Sequence, residues 1–147
     1  MTTESGCSAV VASPDSALNI ARYRLAAVLA FAATAVLLLL PGPVLSAAGS
    51  WLAPWWPLPS PQEPSFALPL DKLVHAGLFA LCGLLVLRGW LTSNGHWLRF
   101  FLLLFLFAIL TEAAQYPIPG RHADFADLLA DLAGAAAGIW WGLRPLR

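Results

Sequence analysis

The sequence predicts an all-α protein, a polytopic transmembrane bundle of about four helices with both termini on the cytoplasmic side (N-in/C-in). Three observations predict it. Of 147 residues, 59% are hydrophobic and 11% charged, where a soluble domain carries roughly a quarter charged residues. The apolar residues fall into four runs of near-spanning length, separated by breaks rich in Pro, Gly, Ser and Asn. Arginines, finally, gather at alternate connections, as expected where positive loops stay in the cytoplasm.

Residues 1–21 are rich in Ser, Thr and Ala without apolar periodicity, and Pro14 interrupts helical continuation. This segment is expected to be a disordered cytoplasmic tail. The transmembrane domain then runs from 22 to 147. Its first span, 23–40, is preceded by Arg22 and Arg24 and stopped by Pro41-Gly42-Pro43. At 1.5 Å per residue it nearly crosses a hydrocarbon core of about 30 Å. A basic start, an apolar run and Ser46-Ala47-Ala48 also fit a secretory signal, although this run is longer than the usual 7–15 residues.

Residues 41–70 are crowded with proline, hold Trp51, Trp55 and Trp56, and lack Lys and Arg. Tryptophan settles at headgroup level, so an outer loop lying along the membrane surface is expected. Further spans follow at 73–91, closed by Thr92-Ser93-Asn94-Gly95, at 97–116, closed by Pro117 and Pro119-Gly120, and at 125–143. Apolar residues on all faces suit helices surrounded by lipid and by one another. Tyr116, Trp140 and Trp141 stand near span ends as interfacial anchors. Orientation rests on Arg22 and Arg24, on Arg88 and Arg99, and on Arg144 and Arg147, which share one side in this topology.

Eight Lys+Arg balance eight Asp+Glu, so nothing favours nucleic acid as a partner. Cys7 and Cys82 have no ligand spacing and no disulfide register. His96, in the loop after the second span, and His122, beside Arg121, are expected to face water.

The remaining polar residues cluster at the opposite side from the arginines. Asp71, Lys72 and His75 open the second span, with Asp71 and His75 on one face by the i, i+4 relation. Glu112 and Gln115 close the third span on one face. Arg121 precedes the fourth, where Asp124, Asp127 and Asp131 form an acidic stripe. The rise per residue puts His75 ~6 Å below Asp71, Glu112 ~6 Å below Tyr116 and Asp131 ~10 Å below Asp124, so all converge at one level. A charge on a span costs ~2.5–3.5 kcal/mol even on insertion scales, and Glu112 and Asp131 should therefore turn inward. Gly134-Ala-Ala-Ala-Gly138 continues the stripe as a small-residue seam for close helix packing, within the bundle first and between two copies second.

These motifs, Asp71-Lys72-x-x-His75, Glu112-x-x-Gln115 and Arg121-x-x-Asp124-x-x-Asp127 ahead of a Gly-rich helix, together resemble the VanZ-like family of bacterial membrane proteins over about Asp71 to Gly138. The resemblance implies a multi-pass protein of the bacterial cytoplasmic (inner) membrane, and a link to low-level glycopeptide (teicoplanin) resistance without an agreed activity. Asp131 departs from the family's usual Asn and adds a charge that must be paired or protonated.

Three functional readings arise. In the first, Asp71, Lys72, His75, Glu112, Gln115, Arg121, Asp124, Asp127 and Asp131 form an outward-facing site for an anionic or glycopeptide-type cell-envelope ligand, either a lipid-linked precursor or a lipoglycopeptide. Lys72, His75, Gln115 and Arg121 supply its grip. The second is an enzyme using His75 and Glu112 as acid and base, or a divalent metal held by His75, Glu112, Asp124 and Asp127, on a lipid-linked precursor. No H-x-x-x-H, H-E-x-x-H or cysteine cluster supports a transition metal, so neither metal nor other cofactor is expected; an acidic stripe suits Mg²⁺ or Ca²⁺ only loosely. The third is structural, with Lys72 and Arg121 pairing the carboxylates and locking the helices together.

Overall fold

The computed structural model describes residues 14–52, 54–55, 70–90, 97–121 and 123–144, and in these the regular structure is entirely helical. Five helices follow in order: α1 (Pro14–Leu39), α2 (Gly42–Leu52), α3 (Leu70–Trp90), α4 (Trp97–Gln115) and α5 (Phe125–Gly142). Ser16–Leu39, Asp71–Trp90 and Trp97–Gln115 are long and apolar enough to cross a membrane. The fourth expected span exists as α5, but it does not join them by hydropathy, because its 18 residues include Asp127, Asp131 and three glycines. α5 is held by packing instead. Seven of its residues, Asp127, Asp131, Gly134, Ala135, Gly138, Ile139 and Gly142, are buried, recurring once each turn along one side.

Helix α3 is the centre of the bundle, touching α1, α4 and α5, with α5 as its most extensive neighbour. The seam between α3 and α5 is made by glycine. A Cβ at Gly134 or Gly138 would strike the carbonyl oxygen of Ala76 or Ala80, and one at Gly83 would lie 2.9 Å from the carbonyl oxygen of Ala135. Since 76 faces 134 and 80 faces 138, the two helices run parallel. The small-residue seam is thus filled by α3 of the same chain. On its other side α3 meets α1 in antiparallel register, marked by Arg24 Nε donating to the Gly89 carbonyl at 2.9 Å and by Thr34 Oγ1 at 3.5 Å from Cys82 Sγ. The inward face of α1 is Ala27, Ala30, Thr34 and Leu38, small enough for close approach. Phe107 of α4 meets both Phe31 of α1 and Phe79 of α3 in tilted ring contacts, at centroid distances of 4.9 and 5.5 Å.

Two expectations are corrected at the N-terminal side. Residues 14–21 are helical, so the tail expected to reach residue 21 does not extend that far. Pro14 is the first residue of the described helix, a position where its fixed φ suits helix entry and its missing N–H would be unpaired anyway; residues 1–13, including Cys7, lie outside the described residues. In the outer segment expected to be a loop over 41–70, the first part folds as α2. The prolines of this stretch sit at its start, and the Pro41 carbonyl accepts from Val44 N and Leu45 N at 3.0 and 3.2 Å, which opens the helix. Ser46 and Ser50 return their hydroxyls to carbonyls three residues back, which suits an apolar medium. Val44, Trp51 and Trp55 are exposed, consistent with contact at the membrane surface. Trp56, His96 and His122 lie outside the described residues.

Where α1 ends, α2 leaves by way of Gly42, which packs on Gly120 so closely that a Cβ there would lie 2.6 Å from the Gly120 carbonyl oxygen. Gly120 itself has φ +75°, a left-handed conformation that favours glycine. With Gly42 N donating to the Pro119 carbonyl at 3.2 Å, the α1–α2 corner is tied to the α4–α5 connection. That connection carries Arg121 and Asp124 into place.

Candidate functional site

The two ends of the bundle are chemically opposite. At one end Arg24 stands 5.4 Å from the Trp90 ring centroid, Arg88 donates to the Arg144 carbonyl at 3.1 Å, and Arg144 lies 3.8 Å over the Trp140 ring. At the other end α3 begins, α4 finishes and α5 begins, so parallel α3 and α5 and antiparallel α4 bring their polar termini to one place.

The site is built in two layers. Nearer the surface, Lys72 of α3 donates to Asp124 Oδ2 at 2.8 Å and Asp127 Oδ1 at 2.6 Å, while Asp71 is exposed beside it. Asp124 is the N-cap of α5: its backbone is extended, its side chain accepts from Ala126 N at 2.9 Å, and its own N–H donates to Glu112 Oε2 at 3.0 Å. One residue therefore joins α3, α4 and α5. Deeper, His75 Nδ1 donates to Asp131 Oδ1 at 3.0 Å, with both side chains almost fully buried. Glu112 is buried against this pair, and Glu112 Oε1 and Asp131 Oδ2 have no hydrogen-bond partner among the described residues. One donor atom from each of His75, Glu112 and Asp131 lies within 4.8 Å of the others, as do one each from Asp71, His75 and Asp127.

Two expected site residues are engaged elsewhere. Gln115 Nε2 donates to the Leu38 carbonyl at 3.0 Å, and Arg121 donates from Nε to Leu40 at 3.1 Å and from Nη2 to Leu37 at 3.3 Å. These are carbonyls at the end of α1, which its own ladder leaves unpaired, and a cation there also complements the helix dipole. Arg121 and Gln115 are therefore the C-terminal cap of α1. Arg121 does not pair with the carboxylates, so the expected lock between helices is formed by Lys72 and His75 instead.

Among Asp71, Lys72, His75, Glu112, Asp124, Asp127 and Asp131 there are five carboxyl groups, one ammonium and one imidazole. Such a set can hold a cation, relay a proton or orient a polar head; it has little free donor capacity for an anion. Two apolar grooves, of about 470 Å³ beside Phe31, Val86 and Phe107 and about 450 Å³ beside Phe101 and Ile139, lie away from these residues. Their walls are almost wholly apolar, which suits lipid chains rather than chemistry.

The Lys72 ammonium holds the Asp124 carboxyl below the usual carboxylate range, aided by the Ala126 N–H. A depressed native pKa means that the unfolded chain binds more protons, so the contribution is complete above about pH 4 and fades as pH falls through the native value. Asp124→Asn, which keeps an N-cap acceptor, should leave thermal stability at pH 7 lower and flatten its acid-side decline below about pH 4. Thermal melts in detergent across that range check this; parallel curves for the two proteins would show that the charge is not felt.

No curated protein and no solved structure matches the chain. A family model matches residues 43–143, the stretch from α2 to α5 with the motif residues brought together at one end of α3, α4 and α5, and on that match the chain, with its three membrane-length helices, belongs to the VanZ/LLP1 family.

Proposed function

We propose that this VanZ-like protein sits in the bacterial cytoplasmic membrane as a multi-pass protein, with its polar site facing outward, and there binds the polar head of a cell-envelope ligand. The observation that carries the reading is the burial of His75, Glu112, Asp127 and Asp131 at one end of a membrane bundle. Ionisable residues in such a setting are costly and mark ligand or proton sites by default. The arginine-rich opposite end supports the orientation through the positive-inside rule. The acidic excess revises the ligand class expected from sequence. With Lys72 already bonded to two carboxylates, an anionic head fits only together with a bridging cation, whereas a glycopeptide-type head fits through an ammonium group. A link to glycopeptide (teicoplanin) protection follows the family.

His75→Gln keeps a donor for Asp131, and Glu112→Gln keeps an acceptor for the Asp124 N–H. Both variants should accumulate in the membrane at wild-type level, yet lose a lipid retained by the wild type in native mass spectrometry, together with any teicoplanin protection scored as growth inhibition. Retention of both properties by both variants would leave the polar residues with a purely structural role. One observation favours an enzymatic reading as the alternative: the His75 ring is oriented by Asp131 and adjoined by an unpartnered Glu112 oxygen, as a general base would be. Turnover of a lipid pyrophosphate that disappears in Glu112→Gln is the result that reading requires.

A further inference from the structure

We propose that His75, Glu112 and Asp131 bind one divalent first-row transition cation, Mn²⁺ or Zn²⁺. It rests on reading the cluster as a ligand site, and adds the component that an acid-rich pocket needs.

The geometry comes first. Three donor atoms, one from each residue, lie within 4.8 Å of one another, about the span of a first coordination sphere whose metal–ligand distances are ~2.0–2.4 Å. His75 Nδ1 and Asp131 Oδ1 are 3.0 Å apart, and adjacent ligands at ~2.1 Å from an octahedral ion are separated by ~3.0 Å, so the ion would take the place of the Nδ1 proton that otherwise joins the two atoms. The donors come from α3, α5 and α4, rigid elements tied together by the Asp124 cap and by the glycine seam of α3 and α5.

The second observation concerns hydrogen bonding. Glu112 is 9% exposed and Asp131 0%, yet Glu112 Oε1 and Asp131 Oδ2 are without partners among the described residues. Buried carboxylate oxygens are almost always satisfied, and two orphans within one three-residue cluster are open acceptor positions that a cation would fill. Lys72 does not fill that role, since its ammonium is bonded to Asp124 and Asp127 nearer the surface. This separates the deep triad from the group Asp71, His75 and Asp127, where Asp127 Oδ1 already accepts from Lys72 at 2.6 Å and Asp71 is exposed.

Ligand chemistry narrows the ion. One imidazole with two carboxylates is a mixed N/O set, which suits Mn²⁺ or Zn²⁺ better than the all-oxygen shells of Ca²⁺ and Mg²⁺. A divalent charge also balances two carboxylates in a low-dielectric setting. Three protein ligands leave coordination positions for water or for an oxygen of an incoming head, the arrangement of open metal sites. The sequence admits a divalent ion at His75 and Glu112 but groups them with Asp124 and Asp127; the third ligand, Asp131, is set by the packing of α5 on α3, because the ligands lie on three helices and no two of them form a local motif.

The test uses the full chain purified in detergent and stripped with chelator. Titrating MnCl₂ while following the free-ion paramagnetic resonance signal should show saturable loss at about one ion per chain, and ZnCl₂ should compete. Glu112→Gln should weaken Mn²⁺ binding at least 10-fold, within or above the range seen when groups supporting a metal site are altered. Ser50→Ala, on α2 and outside the polar cluster, should change it less than 3-fold. Wild-type protein that leaves the signal unchanged up to millimolar MnCl₂, with Zn²⁺ and Mn²⁺ both failing to raise its melting temperature, would overturn the proposal without using any variant. Equal binding by wild type and Glu112→Gln would overturn it as well. The reading of the cluster as a headgroup site is judged separately: a retained lipid with no metal sinks only the metal, and a bound metal with no retained lipid sinks only the headgroup.

Discussion

Gly138→Ala is expected to destabilise the protein by about 2–3 kcal/mol, the upper part of the range for overpacking a well-packed interior, and Gly134→Ala by a similar amount. The added methyl would be directed at the carbonyl oxygen of Ala80 in one case and Ala76 in the other. A flexible side chain can rotate away from such a contact, but a backbone carbonyl engaged in its own helix cannot, so α3 and α5 would have to separate. Separation withdraws Asp127 from Lys72 and Asp131 from His75, because those pairs span the same two helices. The double variant should therefore fail to accumulate in membranes. Gly77→Ala is the internal control: it lies in α3, nothing stands within 4 Å of the new methyl, and removing a mid-helix glycine is worth up to ~1 kcal/mol of helix propensity. Melting temperatures of the three single variants in one detergent decide the matter. Gly77→Ala behaving like Gly138→Ala would show that general glycine effects, rather than this seam, govern stability.

Asp131→Ala should cost about 3–5 kcal/mol, the penalty for removing one partner of a buried pair and stranding the other. Asp131→Asn should cost far less, about 1 kcal/mol, because an amide oxygen still accepts from His75 Nδ1. The magnitude discriminates between mechanisms. Interhelical hydrogen bonds in membranes average ~0.6 kcal/mol and reach ~1.7, so a loss near 1 kcal/mol in the alanine variant would reduce the pair to an ordinary hydrogen bond. A double-mutant cycle with His75→Ala isolates the coupling, and the double variant should be less damaged than the sum of the singles. Asp131→Asn also tests directly what a second buried carboxylate contributes beside Glu112.

Much of this architecture was legible in one dimension. Hydropathy and breakers placed the ends of α3 and α4 within a few residues: an expected span of 73–91 against Leu70–Trp90, and 97–116 against Trp97–Gln115. Helical spacing correctly put Asp127, Asp131, Gly134 and Gly138 on one buried face. Alternating span direction alone put the polar ends of α3, α4 and α5 at one end of the bundle. Lipid enforces that legibility, because a backbone that must satisfy its hydrogen bonds internally has few alternatives to a helix.

Pairing between helices was decided in three dimensions. Spacing tells which residues share a face, but not which neighbour that face meets or how far each helix is rotated. Arg121 and Gln115 thus look like site residues in sequence, yet the fold of the α4–α5 connection onto Gly42 carries them to the open carbonyls at the end of α1. Asp131 finds His75 rather than Arg121 because the glycine seam draws α3 against α5 in parallel register, opposing 76 to 134 and 80 to 138. Composition therefore specified the helices and the end at which their charges accumulate. Close packing of small residues, a property of two surfaces at once, selected the partners.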